Sequence, residues 1–291
     1  MSFICKNYER QSKHFEIFLE ERKDIAASWF DSGSADYWRH QRCYEFFECF
    51  SSKQSSWLTI GDGRWGLDSI RIRAFGFQNV LPTDLTSSLL EQAKSQGFIE
   101  DYRVENAEKL SFFDDEFDFV FCKEAFHHFP RPYIALYEML RVAKSGVFLS
   151  EPNDRPEEVD FLTGRFWEQV KIKAEYEECA NYVYPFSRSE AVKVALGSNL
   201  PQVLFKGLND HYIKGVEFEP ADRERSEIFR KVTDEIERLD RLCLEGKADY
   251  KTIMVGLLKK PLDELSKDNF IAQGWQVLDL PRSFHSGSHK L

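Results

Sequence analysis

Trp57-Leu58-Thr59-Ile60-Gly61-Asp62-Gly63-Arg64-Trp65-Gly66 decides the reading of this chain. Trp57 to Ile60 make a short apolar strand, and it runs straight into G-x-G-x-x-G. Alone, that pattern is weak; behind a strand and ahead of a helix it has the context that nucleotide-type sites require. Glycine accepts the tight backbone angles of such a turn and lets a ligand approach the main chain closely. The helix that follows, through Ile70-Arg71-Ile72-Arg73, offers unpaired N–H groups at its start. Gly76 is expected to end it.

Downstream the pattern keeps alternating. A strand at Asn79-Val80-Leu81-Pro82-Thr83 ends in Asp84 and Leu85, and a helix from about Ser87 to Gln96 stops at Gly97. A short strand near Tyr102-Arg103-Val104 leads to Asn106-Ala107-Glu108. Phe117 to Cys122 is apolar apart from Asp118, as expected of a strand covered on both faces. His127-His128 follow it, Arg131-Pro132 open a helix, and Gly146 to Ser150 form the next strand, ending at Glu151. Strands alternating with helices predict an α/β fold with a doubly wound parallel sheet.

The flanks read differently. Residues 8–50 look helical, in two pieces separated by Asp31-Ser32-Gly33-Ser34; the second, Asp36 to Phe50, is rich in aromatics. Residues 157–200 look mainly helical, Gln202 to Lys206 and Tyr250 to Leu258 look like strands, and residues 220–245 look like a charged helix with one packed face. The expected organisation is a helical lid at 1–56, a cofactor-binding core at 57–151, acceptor-side helices and closing strands at 152–260, and a loose tail at 261–291.

Bulk properties narrow the partners. The net charge of −10 over 291 residues opposes phosphate backbones, so no nucleic-acid partner is expected. The six cysteines show no C-x-x-C pair or zinc spacing, which predicts reduced thiols and no bound metal. No apolar run is long enough to cross a membrane and the N-terminus lacks an apolar leader, so a cytoplasmic location is expected.

Asp84 at a strand end can accept both hydroxyls of a ribose; equally, it can cap the helix that starts near Ser87. Glycine turn and acid together suit a nicotinamide dinucleotide or S-adenosylmethionine. Two later features favour the second: an amide at Asn106 that can reach an adenine amino group, and the lack of a second mononucleotide unit after Cys122.

Taken as an ordered set, residues 57–151 resemble a class I S-adenosylmethionine-dependent methyltransferase of the type that modifies small molecules, lipids, quinones and sugars. The resemblance implies a Rossmann-like sheet of seven strands with the last antiparallel, N-terminal helices over the cofactor and a helical insertion as cap. It implies S-adenosyl-L-methionine as cofactor, held by Gly61, Asp62, Gly63, Asp84, Leu85, Asn106, Ala107, Glu108 and Cys122, with Arg39 clamping the methionine carboxylate. The chain departs from the pattern at Thr59, where an acid is usual, at Trp65, where a glycine is usual, and at Asn106, where an aspartate is usual.

Methyl transfer to a hydroxyl or amine needs alignment and a base. A neutral histidine is the natural base near neutral pH, and the candidates are His127, His128 and, after a late strand, His211. Glu151 is placed to orient a substrate hydroxyl. The Gly-Asp-Gly-Arg-aromatic-Gly turn is similar to those of surface-polysaccharide methyltransferases, which implies a small-molecule or glycan acceptor, such as a sugar hydroxyl in polysaccharide biosynthesis. The alternatives are a non-catalytic cofactor-binding scaffold and an NAD(P)-dependent oxidoreductase.

Overall fold

Trp57–Ile60 is strand β1, and all four of its residues are buried. It lies inside an eight-stranded sheet seen in a computed structural model that describes residues 27–154 and 183–281. The other strands are β2 (Val80–Asp84), β3 (Arg103–Val104), β4 (Phe117–Lys123), β5 (Ala143–Pro152), β6 (Gln202–Leu208), β7 (Thr252–Leu258) and β8 (Gln276–Asp279). Their spatial order is β3-β2-β1-β4-β5-β7-β6-β8. The first five run parallel, and β7 runs antiparallel between β5 and β6. The chain therefore reverses direction of growth between β1 and β4, where open α/β sheets leave a crevice beyond the strand ends.

Helices cover both faces: α1 (Ala35–Gln41), α2 (Leu67–Ala74), α3 (Ser88–Ser95), α4 (Pro132–Val142), α5 (Arg188–Gly197), α6 (Glu227–Leu244) and α7 (Glu264–Ala272). Successive residues of β4 and β5 point to opposite faces, as the pleat requires. Val120, Cys122, Val147 and Leu149 meet Leu136 and Met139 of α4 and Ala191 of α5. Phe119, Phe121 and Phe148 meet Tyr44, Phe46, Phe47, Phe50 and Ile72 instead. Phe46 stacks on Phe148 at 4.9 Å and Phe47 stands edge-on to Trp57 at 4.7 Å. The aromatic wealth of residues 44–50 is thus core packing.

That packing also breaks the expected helix over Asp36 to Phe50. Ser34 caps α1 by accepting from the Tyr37 amide, but α1 stops at Gln41 and a 3-10 turn spans Glu45–Cys49. Phe46 and Phe47 are adjacent and both buried, each in the aromatic layer with Tyr44 and Phe50. The 220–245 helix is present as α6, capped by Ser226, and its Phe229, Val232 and Ile236 pack with Ala35 and Trp38 of α1.

Residues 264–279 depart from the loose tail expected of 261–291. They form α7 and β8, which pairs antiparallel with β6 and raises the strand number from the expected seven to eight. Local signals were present. Asp263 caps α7 through the Ser266 amide, and Gly274, at φ 82°, turns the chain into Trp275. Phe270 and Trp275 then lock against Phe46 and Phe148. The calls for residues 8–26, 157–182 and 282–291 lie outside the described residues.

Phe270 is fully buried in the centre of this aromatic layer. Phe270→Ala is expected to cost about 3–5 kcal/mol of stability, read from the midpoint of urea unfolding; a loss under ~1 kcal/mol would show that α7 is peripheral.

Candidate active site

The carboxyl ends of β1, β2, β4 and β5 bring the glycine turn, Asp84 and His127 to one edge. Gly61 has φ 75°, and a Cβ there would lie 2.4 Å from the Ala125 Cβ, so the turn after β4 presses directly on the turn after β1. A Cβ on Gly63 would lie 2.6 Å from Oδ2 of Asp84. Both glycines are therefore required by close approach. Trp65 and Gly66 both adopt left-handed angles, φ 56° and 68°, to start α2; the cost at Trp65 is offset by packing against Trp29 and Phe30.

Asp62 faces inward. Its carboxylate accepts from Thr59 Oγ1 at 2.8 Å, the Asp68 amide at 2.9 Å and the Ser69 amide at 3.0 Å. It caps α2, a task that Gly66 at the N-cap has no side chain to perform. Thr59, standing where an acid is usual, supports an acid three residues later. Burial, and then the charge of Asp68, push the Asp62 carboxyl well above the usual range. Its side chain is engaged within the fold.

Asp84 ends β2 half-buried, and its Oδ1 accepts from the Thr86 amide at 2.9 Å and from Thr86 Oγ1 at 3.0 Å. Ser87, not Asp84, is the N-cap of α3. Burial raises the Asp84 carboxyl. Leu85 follows it, half-buried. Asn106 accepts from the Glu108 amide at 2.9 Å and Ala107 packs into the core. Glu108 turns away from the strand ends: its carboxylate takes the Arg131 amide at 2.8 Å and the Arg131 Nε at 2.7 Å, tying it to the start of α4. Cys122 is wholly buried beside Glu151, and burial pushes its thiol well up; only its main chain reaches the edge.

His127 and His128 lie in a 3-10 turn, Phe126–His128, directly after β4. His127 Nδ1 is 2.5 Å from Oε2 of Glu151. Both side chains are buried, at 2% and 0% exposure. Oε1 of Glu151 accepts from the Ala125 and Phe126 amides at 3.1 and 3.0 Å. One carboxylate on β5 thus fixes the turn and aligns the imidazole. Tyr184 closes the other side by donating its amide to the His127 carbonyl at 3.2 Å.

Two expected residues sit elsewhere. Arg39 donates Nε to Asp210 at 2.9 Å, Nη1 to Asp36 at 2.9 Å and Nη2 to Asp210. Its fork is filled by protein carboxylates and pins α1 to the loop after β6. His211 follows Asp210 in that loop. β5 and β7 separate β6 from β4, which puts the two strand ends roughly 14 Å apart at normal strand spacing. The structure does not join His211 to His127 and His128.

Sequence reading missed Lys123 and His40. Lys123 ends β4 and is 8% exposed. Burial, with Lys123, Arg64, Arg39 and Arg71 nearby, holds His40 well below its ordinary value. A charged residue closing the apolar run of β4 was the legible signal. Among the described residues, no group of His, Cys, Asp and Glu side chains could hold a metal ion, and no helix is long and apolar enough to cross a membrane.

Residues 58–150 match the family model of a methyltransferase domain. The chain carries a methyltransferase domain. The fold of the methyltransferase is shared with an S-adenosylmethionine-dependent methyltransferase from Thermotoga maritima, at 16% identity, TM-score 0.52, and coverage of 86% of this chain and 100% of that one. It is shared with the YcgJ protein of Bacillus subtilis, at 22% identity, TM-score 0.50, and coverage of 76% and 99%. A chain from a complex of methyltransferase and Trm112 activator from Haloferax volcanii aligns at 16% identity, TM-score 0.50, and coverage of 82% and 97%. A comparison with curated protein sequences finds no match.

The residues present fit S-adenosylmethionine: the half-buried carboxylate of Asp84 ends β2 against Gly63, where it can accept from ribose hydroxyls. Gly63→Ala drives a methyl group into the Asp84 carboxylate. S-adenosylhomocysteine affinity, by calorimetry, is expected to fall at least roughly 10-fold, as for loss of a charge-assisted hydrogen bond; unchanged affinity would remove Asp84 from the site.

Proposed function

We propose that this methyltransferase transfers a methyl group to a hydroxyl of a small molecule or glycan, a sugar hydroxyl in polysaccharide biosynthesis being the form the sequence resemblance favours, and that it does so in the cytoplasm. The His127–Glu151 pair carries this reading. S-adenosylmethionine, when bound, supplies an electrophilic methyl group and needs no help from the protein to activate it. Gly61, Gly63, Asp84, Leu85, Asn106 and Ala107, with the main chain at Cys122, form the binding edge.

The protein must handle the acceptor's proton. Glu151 accepts from Nδ1–H of His127, which makes Nε2 the basic nitrogen. The developing imidazolium is stabilised by a carboxylate already anchored on two backbone amides. Because the pair is shielded from water, its electrostatic effect on the ring is stronger than at the surface. His128, whose ring centroid lies 4.0 Å from that of His127, lines the same turn.

The test is a panel of hydroxyl and amine acceptors assayed by release of S-adenosylhomocysteine. With an acceptor in hand, His127→Ala should lower kcat by about 10²–10⁴-fold with S-adenosylhomocysteine affinity unchanged. Glu151→Gln removes the charge that favours imidazolium, so kcat falls and the acid limb of its pH profile moves to lower pH. Full activity in His127→Ala would move the base to another residue, His128 first. Turnover confined to amines already neutral at the assay pH would overturn the hydroxyl assignment.

A further inference from the structure

Lys123 is more than nine-tenths buried, yet among the described residues its ammonium has no hydrogen bond and no carboxylate within ion-pair distance. An ammonium has three donors to satisfy, and the described residues supply no acceptor for them here. Its place is informative. Ile60 pairs with Cys122 across β1 and β4, so Lys123 stands level with Gly61, in the crevice where the sheet's strand order reverses. It follows Phe119 and Phe121 on the face of β4 covered by the N-terminal segment. His40, Cys43 and Asp68 all sense its charge.

The neighbouring charges are already engaged. Asp62 caps α2, and Asp68 accepts from the Tyr44 hydroxyl. Arg64 lies over Trp29 and Arg71 over Tyr37 and Tyr44. Arg39 is held by Asp36 and Asp210. Two further N–H groups of buried Arg71, at Nε and Nη1, have no acceptor. Lys123, Arg64 and Arg71 thus gather around Asp68, and among the described residues no carboxylate comes within ion-pair distance of the Lys123 ammonium. The His127–Glu151 pair sits on the opposite face, since Glu151 reaches Cys122 on the α4 side of the sheet. The base and Lys123 thus serve different ends of the bound molecules.

We propose that Lys123 anchors the carboxylate at the amino-acid end of S-adenosylmethionine, the role expected of Arg39. The assignment rests on the cofactor reading above. It gives the buried ammonium a charge-assisted acceptor only in the bound state, and it makes recognition of the amino-acid end depend on one residue of β4.

The experiment is calorimetry of the full-length protein with two thioethers, S-adenosylhomocysteine and 5′-methylthioadenosine, the second lacking the amino-acid end. Lys123→Met is expected to weaken S-adenosylhomocysteine by roughly 10- to 100-fold and to leave 5′-methylthioadenosine unchanged. Lys123→Gln, tested alongside, gives the same ligand comparison if the methionine variant does not fold. An equal loss for both ligands, or no loss for either, overturns the proposal. A wild-type protein that binds neither thioether overturns the cofactor reading instead.

Discussion

Glu151 is a carboxylate with no access to water at the end of the central strand β5. Such a group persists only if donors are brought to it. The donors are the Ala125 and Phe126 amides and His127 Nδ1, all in the turn that leaves β4. Satisfying one buried acid therefore sets the path of that turn. The turn in turn presses Ala125 against Gly61, which is why no side chain fits there. Strand pairing, glycine turn and histidine orientation all follow from this contact.

The same logic recurs at the other acids near the strand ends. Asp62 is held by amides at the start of α2, and Glu108 by the amide and guanidinium of Arg131 at the start of α4. Each anchors a helix whose N-terminus approaches the site, where a negative charge is favourable. The site is rigid because its scaffold carboxylates are all occupied, and Asp84, against Gly63, is the one set closest to the binding edge. Elsewhere, Arg39 plays the corresponding part for α1: it joins α1 to the loop after β6 through Asp210, and α6 packs on α1 through Trp38 and Phe229. The face bearing His127 and the face bearing Lys123 meet along the edge between them.

Much of this was legible. The strand-turn-helix at Trp57 to Arg73, the strand ending at Asp84 and the apolar run to Cys122 are local patterns, and they lie where their periodicity put them. What was misread depended on distant partners. Arg39 looked available because Asp210 is remote in the chain. Glu108 stood in a cofactor motif, but its partner Arg131 stands at the start of α4, beyond β4. Phe270 and Trp275 seemed part of a tail because their packing surface, Phe46 and Phe148, comes from the other end of the protein and from β5.

By itself, the sequence determined the alternating α/β order, the need for glycine at the first turn and the set of titratable side chains near the strand ends. These depend on backbone sterics and on hydrophobic period, which act over a few residues. Only the tertiary structure decided which of those side chains are engaged and which are available. Glu151 was paired with His127, Asp62 turned into a helix cap, Arg39 taken by two carboxylates, and Lys123 left without one among the described residues. Pairing of charges is decided by desolvation and contact between segments far apart in the chain, and no local pattern encodes it.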